Sequence, residues 1–260
     1  MKPNVERRIL KFLLWTFVIS WGCWGTVAIA NQFGRLPYGT PFAMILFLIG
    51  GNGAPIAAYF LLKRWGEIEG IKGYIKQFFE FRTSGKHYLL ILFFLAIHFM
   101  IPLAMGASNK AIALYMGLLY IPMNTIGGGL EEIGWRGILQ PDLEKKMPFL
   151  PATVIVALIW AVWHLPLWFI VGTYQSTIGF GMFAVSVFGL AFSLAAIRKI
   201  TNSVFLCIVF HASVNSFMAV FMFDQGLSTL PTILAEIGVS LILVSWWSKR
   251  NQKEKVQLIR

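Results

Sequence analysis

Seven polar residues lie inside long apolar runs of this sequence, where their presence demands a reason. Glu131, Glu132 and Arg136 share one run, His164 lies in the next, His211 and Asn215 lie in a later one, and His98 is by itself in an earlier one. An ionisable side chain near the centre of a bilayer costs about 2.5–3.5 kcal/mol even on a lenient scale, so each needs a partner or a function. Positions four apart share a helix face. Glu132 therefore lies over Arg136 and can neutralise it, which leaves Glu131 without a counter-ion, turned toward Trp135 instead. His211 and Asn215 repeat the spacing and aim an imidazole and a carboxamide in one direction, offering two hydrogen-bond donors. Trp160 and His164 repeat it again, with the indole placed to wall and orient the ring. Gly127, Gly128 and Gly129 precede Glu131, and residues without side chains let a neighbouring helix or a substrate backbone come close.

Each polar group could instead make a single interhelical hydrogen bond, worth about 0.6 kcal/mol in a membrane protein. That is the reading for His98. For Glu131, His164, His211 and Asn215, spread over three runs, a shared functional site is the better one, because intramembrane ionisable residues are functional by default.

The elements that must position these groups follow from composition. Of 260 residues, 57% are hydrophobic and 13% charged, against about 45–50% and 25% in soluble domains. A hydrocarbon core about 30 Å thick takes about 20 apolar residues per helix, and such windows fill the chain. The expectation is all-α: a polytopic membrane helical bundle and a single integral membrane domain over 1–260. About eight spans can be drawn, Phe12–Ala30, Pro41–Leu62, Tyr88–Met105, Ala111–Leu139, Leu150–Val171, Ile178–Ile197, Ser203–Phe223 and Thr229–Trp247. Leu36-Pro37-Tyr38-Gly39 and Met147-Pro148 punctuate them. Ala28-Ile29-Ala30 imitates a signal-peptidase site, but the run before it is longer than the about 7–15 residues of a signal core, so it is kept as the first span.

Positive charge tests that division, because cytoplasmic loops collect Lys and Arg. With eight spans, all of the 22 Lys and Arg except Arg35 and Lys110 fall on one side. Both termini are therefore expected to be cytoplasmic. The net charge of +11 is explained by this topology, and no nucleic acid is expected as a partner. In 66–86, Ile68, Ile71, Tyr74, Ile75, Phe78 and Phe79 recur at helical spacing among Lys72, Lys76 and Arg82. Either an interfacial amphipathic helix or a short helix packed on the bundle fits that pattern. Cys23 and Cys207 have no metal-ligand spacing.

Taken in order, Glu131-Glu132-x-x-x-Arg136, Trp160-x-x-x-His164 and His211-x-x-x-Asn215 resemble the three motifs of the CAAX prenyl protease 2 and bacteriocin-processing family of intramembrane proteases. The likeness covers roughly Ala111 to Phe223, a motif-bearing core of about 111–223. Its second motif commonly carries Phe where this chain has Trp160. The resemblance implies peptide-bond hydrolysis within the bilayer in a cavity open to the cytoplasm. Carried over, Glu131 and His164 would activate a water, His211 and Asn215 would stabilise the oxyanion, and Glu132 and Arg136 would be scaffold. A zinc version stays open, with Glu131, His164 and His211 as ligands and one position free, although no His-Glu-x-x-His helix is present. The implied partners are membrane lipid and a peptide or protein substrate, C-terminal or lipidated, and the implied place is the plasma membrane of a prokaryote. Two other functions compete. A transporter would also use midplane polar groups and broken helices, but the two halves show no repeat. A non-enzymatic bacteriocin-immunity or partner-binding protein is the second.

Overall fold

The breakers in the sequence set where helices begin and end. A computed structural model describes residues 3–106, 112–221 and 229–259, with side chains in the last helix described as far as 252, and every regular element among them is helical. The first helix, α1 (Val5–Gln32), starts where the Asn4 side chain accepts a hydrogen bond from the Arg7 amide at 2.9 Å, satisfying one of the donors a first turn leaves free. Next, α2 (Pro41–Gly51) opens on proline, whose missing N–H is harmless at that position. After Asn52 the chain bends by 54° into α3 (Gly53–Arg64). A short α4 (Gly70–Phe78) precedes α5 (Gly85–Ala104), and α6 (Tyr115–Gly127) leads into the motif segment. Beyond that segment come α9 (Phe149–Trp163), α10 (Phe180–Thr201), α11 (Val204–Phe221) and α12 (Leu230–Ile259). Asn202 ends α10 in the left-handed region at φ 56°, a conformation asparagine tolerates at a helix end.

Six of these segments, among the described residues, are long and apolar enough to cross a membrane, and the bent pair α2–α3 makes a seventh. The fold is thus the polytopic helical bundle expected, but the fourth of the eight drawn spans is corrected. In place of one helix over Ala111–Leu139, α6 stops at Gly127 and the chain continues as a 3-10 turn (Gly129–Glu131), a single α-turn α7 (Glu132–Gly134), a π-helical turn (Trp135–Leu139) and α8 (Gln140–Glu144). Three successive glycines explain the stop, since each is about 1 kcal/mol less favourable than alanine inside a helix.

Outward faces are apolar: Leu10, Leu14, Trp15 and Val18 on α1 and Leu89, Leu92 and Phe93 on α5 are exposed, which suits hydrocarbon and not water. Inward faces use small residues, among them Ala54, Ala57, Ala58, Ala195 and Ala196, which let helix backbones approach. Charges gather where α1 begins. There Arg8 Nε donates to Asp142 at 2.8 Å and pairs with Glu67, while Lys146 pairs with Glu6 and Lys199 with Glu144. These pairs bring the start of α1, the turn after α3, the end of α8 and the end of α10 to one end of the bundle. At the other end Gln32 donates to the Phe169 carbonyl at 2.9 Å and Asn31 accepts from the Val171 amide at 2.9 Å.

Candidate active site

Glu131 emerges where regular helix has just stopped. It ends the 3-10 turn after Gly128 and is 4% exposed. Its Oε2 accepts a hydrogen bond from Trp160 Nε1 on α9 at 2.8 Å. Trp160 reaches most of the other polar groups too. Its main-chain carbonyl lies 2.8 Å from His164 Nδ1, its ring meets that of His211 edge-on at 5.3 Å and 83°, and the Arg136 guanidinium lies over it at 4.8 Å. A carbonyl only accepts, so His164 carries its proton on Nδ1 and leaves the Nε2 lone pair free. His164 is the last residue before a 3-10 turn (Leu165–Phe169) that holds Pro166. Trp163 and Phe183 pack edge-on against its ring at 4.7 Å and 5.1 Å.

Glu132 faces the other way and is fully buried. Its Oε2 is 3.0 Å from Arg136 Nη1 and its Oε1 is 2.9 Å from His211 Nδ1. One carboxylate therefore holds a guanidinium from the π-turn and an imidazole from α11. With Nδ1 donating to Glu132, His211 presents Nε2 to the site, an acceptor when the ring is neutral and a donor when it is protonated. Sequence spacing anticipates the partnership of Glu132 with Arg136. The second partner, from 79 residues away along the chain, is invisible at that level.

Gly128 joins the two halves. A Cβ there would lie 2.6 Å from Asn215 Nδ2 and 3.5 Å from His211 Nε2, and a Cβ on Gly129 would meet the Ile208 carbonyl of α11 at 3.0 Å. The glycines let α11 lie against the chain just before Glu131, so that the His211 and Asn215 nitrogens face main chain rather than a side chain. Ser216, next to Asn215, accepts from Asn124 Nδ2 at 3.0 Å. On the far side of the break, Asn52 Nδ2 donates to the Ile126 carbonyl at 3.0 Å and to Leu48 at 2.9 Å. Neither Asn52 nor Asn124 stands out in the sequence, although Gly50-Gly51-Asn52-Gly53 carries the marks of a break.

Trp135 is also brought in, as a wall. It is fully buried and packs edge-on against Phe12 and Trp163 at 5.7 Å and 5.5 Å. His98 is not alone: its Nδ1 is 2.9 Å from Oε1 of buried Glu236 on α12. Glu236 is visible in the sequence as a solitary acid in an apolar run, and only its partner is not. Among the described residues no three His, Cys, Asp or Glu side chains are grouped to hold a metal ion.

Comparison with known proteins follows the same stretch of chain. A family model described as type II CAAX prenyl endopeptidase, Rce1-like, matches residues 113–217. That range takes in Glu131, Trp160, His164, His211 and Asn215. A curated protein called CAAX prenyl protease 2, from Methanococcus maripaludis, is 23% identical over 259 residues, spanning 89% of this chain and 92% of that protein.

Proposed function

We propose that this protein, whose residues 113–217 match the Rce1-like type II CAAX prenyl endopeptidase family model, is a CAAX-protease-like endopeptidase that hydrolyses a peptide bond in the membrane with a water activated by Glu131 and His164. The observation that carries the proposal is the pairing of free atoms around Trp160 and Gly128. Glu131 keeps one carboxylate oxygen beyond its bond to Trp160, His164 keeps Nε2, and Asn215 Nδ2 and His211 Nε2 both face Gly128.

A water held between Glu131 and His164 Nε2 gives up a proton to the carboxylate as its oxygen attacks the scissile carbonyl carbon. The oxyanion that forms is met by Asn215 Nδ2–H and, when its ring is protonated, His211 Nε2–H. Donors fixed in a dry site before the reaction are usually the largest single contribution to catalysis. The proton on Glu131 then passes to the departing nitrogen and the C–N bond breaks, leaving a new carboxylic acid and a new amine, between which the acid proton passes to give carboxylate and ammonium. Glu132 holds the His211 ring through Nδ1 and is itself neutralised by Arg136. The substrate is a peptide or protein presented near its C-terminus or by an attached lipid, and the charged end of the bundle is the cytoplasmic end.

The test is incubation of purified protein with a membrane proteome, scoring newly formed peptide ends for wild type and Glu131→Gln. Ends made by wild type and missing with the variant are expected. Equal profiles from the two proteins, both folded, would overturn the proposal.

A further inference from the structure

The amphipathic segment between α3 and α5 has no part in this chemistry, yet it touches the motif segment directly. Two faces of α4 are occupied differently. Tyr74 and Phe78 point inward, with the Tyr74 hydroxyl donating to the Pro55 carbonyl at 2.7 Å. Ile71 and Ile75, at 57% and 51% exposure, point outward beside exposed Lys72 and Lys76. Successive residues turn a helix by about 100°, so the two isoleucines adjoin the buried pair and the two lysines lie on the next stripe. That is the cross-section of a helix lying in an interface, with apolar residues in the acyl boundary and cations among headgroups. Packing on the bundle and an outward face suited to an interface are thus compatible in α4, because different stripes of the helix serve each. Charge identifies what covers the outward face. Residues 63–86 contain six Lys and Arg against Glu67, Glu69 and Glu80, and Glu67 is already held by Arg8. Anionic headgroups complement the excess.

The inward face leads to the site. Phe78 packs on Gly137, where a Cβ would stand 2.8 Å from its ring. Gly137 lies in the π-turn Trp135–Leu139 that also carries Arg136. From Arg136 the contacts run to Glu132 at 3.0 Å and to the Trp160 ring at 4.8 Å, and through those two to His211 and Glu131. π-turns inside helices recur at functional sites, and one has a spare hydrogen-bond register to move into.

We propose that α4 binds anionic lipid headgroups through Lys72 and Lys76 and, by way of Phe78 against Gly137, fixes the π-turn that holds the Glu132–Arg136 ion pair, so that the lipid surface sets the enzyme's activity. The proposal rests on the peptidase reading for its activity arm only. The full chain is reconstituted in vesicles of phosphatidylcholine alone and in vesicles enriched in phosphatidylglycerol. Cleavage and hydrogen exchange at residues 135–139 are then measured in both. Anionic lipid is expected to raise cleavage several-fold and slow exchange in that stretch. Lys72→Gln/Lys76→Gln should lose both responses while keeping the activity seen in phosphatidylcholine. Phe78→Leu should still bind the lipid but pass on less of its effect. Equal exchange in the two vesicles, or an undiminished response in the lysine variant, overturns the proposal. Absence of cleavage in both vesicles with the exchange response intact would instead strike at the peptidase reading.

Discussion

Replacing Trp160 with Phe gives this chain the residue common in the related second motif and deletes one atom group that matters here, the Nε1–H donated to Glu131 at 2.8 Å. The ring face beneath Arg136 is kept in part. Hydrogen bonds to charged groups contribute about 1.5–3 kcal/mol net, and this one is buried on both sides. Trp160→Phe combined with Glu131→Ala forms a double-mutant cycle that isolates the pair, because each single change removes the bond from one end. A coupling of about 1.5–3 kcal/mol is expected, read from reversible unfolding in mixed micelles. Contacts that are independent would add within about 0.3–0.5 kcal/mol. Activity gives a second reading: the carboxylate, no longer held, leaves its attack position, and a misplacement of about 1 Å can cost 10²-fold in rate. A cycle that closes additively, together with unchanged kcat in Trp160→Phe, would refute the claim that the indole positions Glu131.

Glu132→Ala should be the most destabilising change in the site, by about 3–5 kcal/mol, because Arg136 and His211 both lose their partner; denaturant titration checks it, and adding Arg136→Leu should recover part of the loss. Gly128→Ala would push a methyl group to 2.6 Å from Asn215 Nδ2, so cleavage should fall at least about tenfold, equivalent to about 1.4 kcal/mol in the barrier, while helical content by circular dichroism is unchanged. For the remote pair, His98→Leu alone should cost about 1–3 kcal/mol by orphaning buried Glu236, whereas His98→Leu with Glu236→Leu should return to near wild-type stability with cleavage unaffected, measured on the same purified samples. Asn52→Leu strips the donor from the Ile126 carbonyl and should lower the unfolding free energy by about 1–3 kcal/mol, with faster hydrogen exchange around Gly127–Gly129 as the local readout.

Apolar length and breakers alone place α1, α5 and α11 within a few residues, except where a helix continues past the hydrocarbon. Val5 to Lys11 is helical because Asn4 caps it and Arg8 is held by Asp142 and Glu67, and hydropathy registers neither cause. The three motifs are legible because spacing of four is a local property of a helix. What connects them is not. The bonds from Trp160 to Glu131, from His211 to Glu132 and from His98 to Glu236 join residues 29, 79 and 138 positions apart, and no period in the sequence encodes them. Even within one motif the spacing gives only part of the arrangement. It sets the Trp160 ring beside that of His164, where it lies at 5.9 Å and 53°, but it does not show that the Trp160 carbonyl meets His164 Nδ1 or that the indole N–H goes to Glu131.

Hydrolysis needs water where the surroundings exclude it, and the irregular backbone in this bundle occurs where the polar groups enter. Glu131 follows the Gly128 break, Arg136 lies on a π-turn, and His164 precedes a 3-10 turn. In hydrocarbon each backbone group left without a partner costs several kcal/mol, so such breaks persist only against protein or a water-filled cavity. Here Asn52 serves the carbonyl of Ile126 and the Trp160 carbonyl serves His164, which converts two would-be defects into positioning contacts. α11 stays regular across His211 and Asn215, and their imidazole and carboxamide keep a fixed separation because it does. The site thus combines one regular wall with interrupted ones, and the interruptions are where Glu131, Arg136 and His164 enter it.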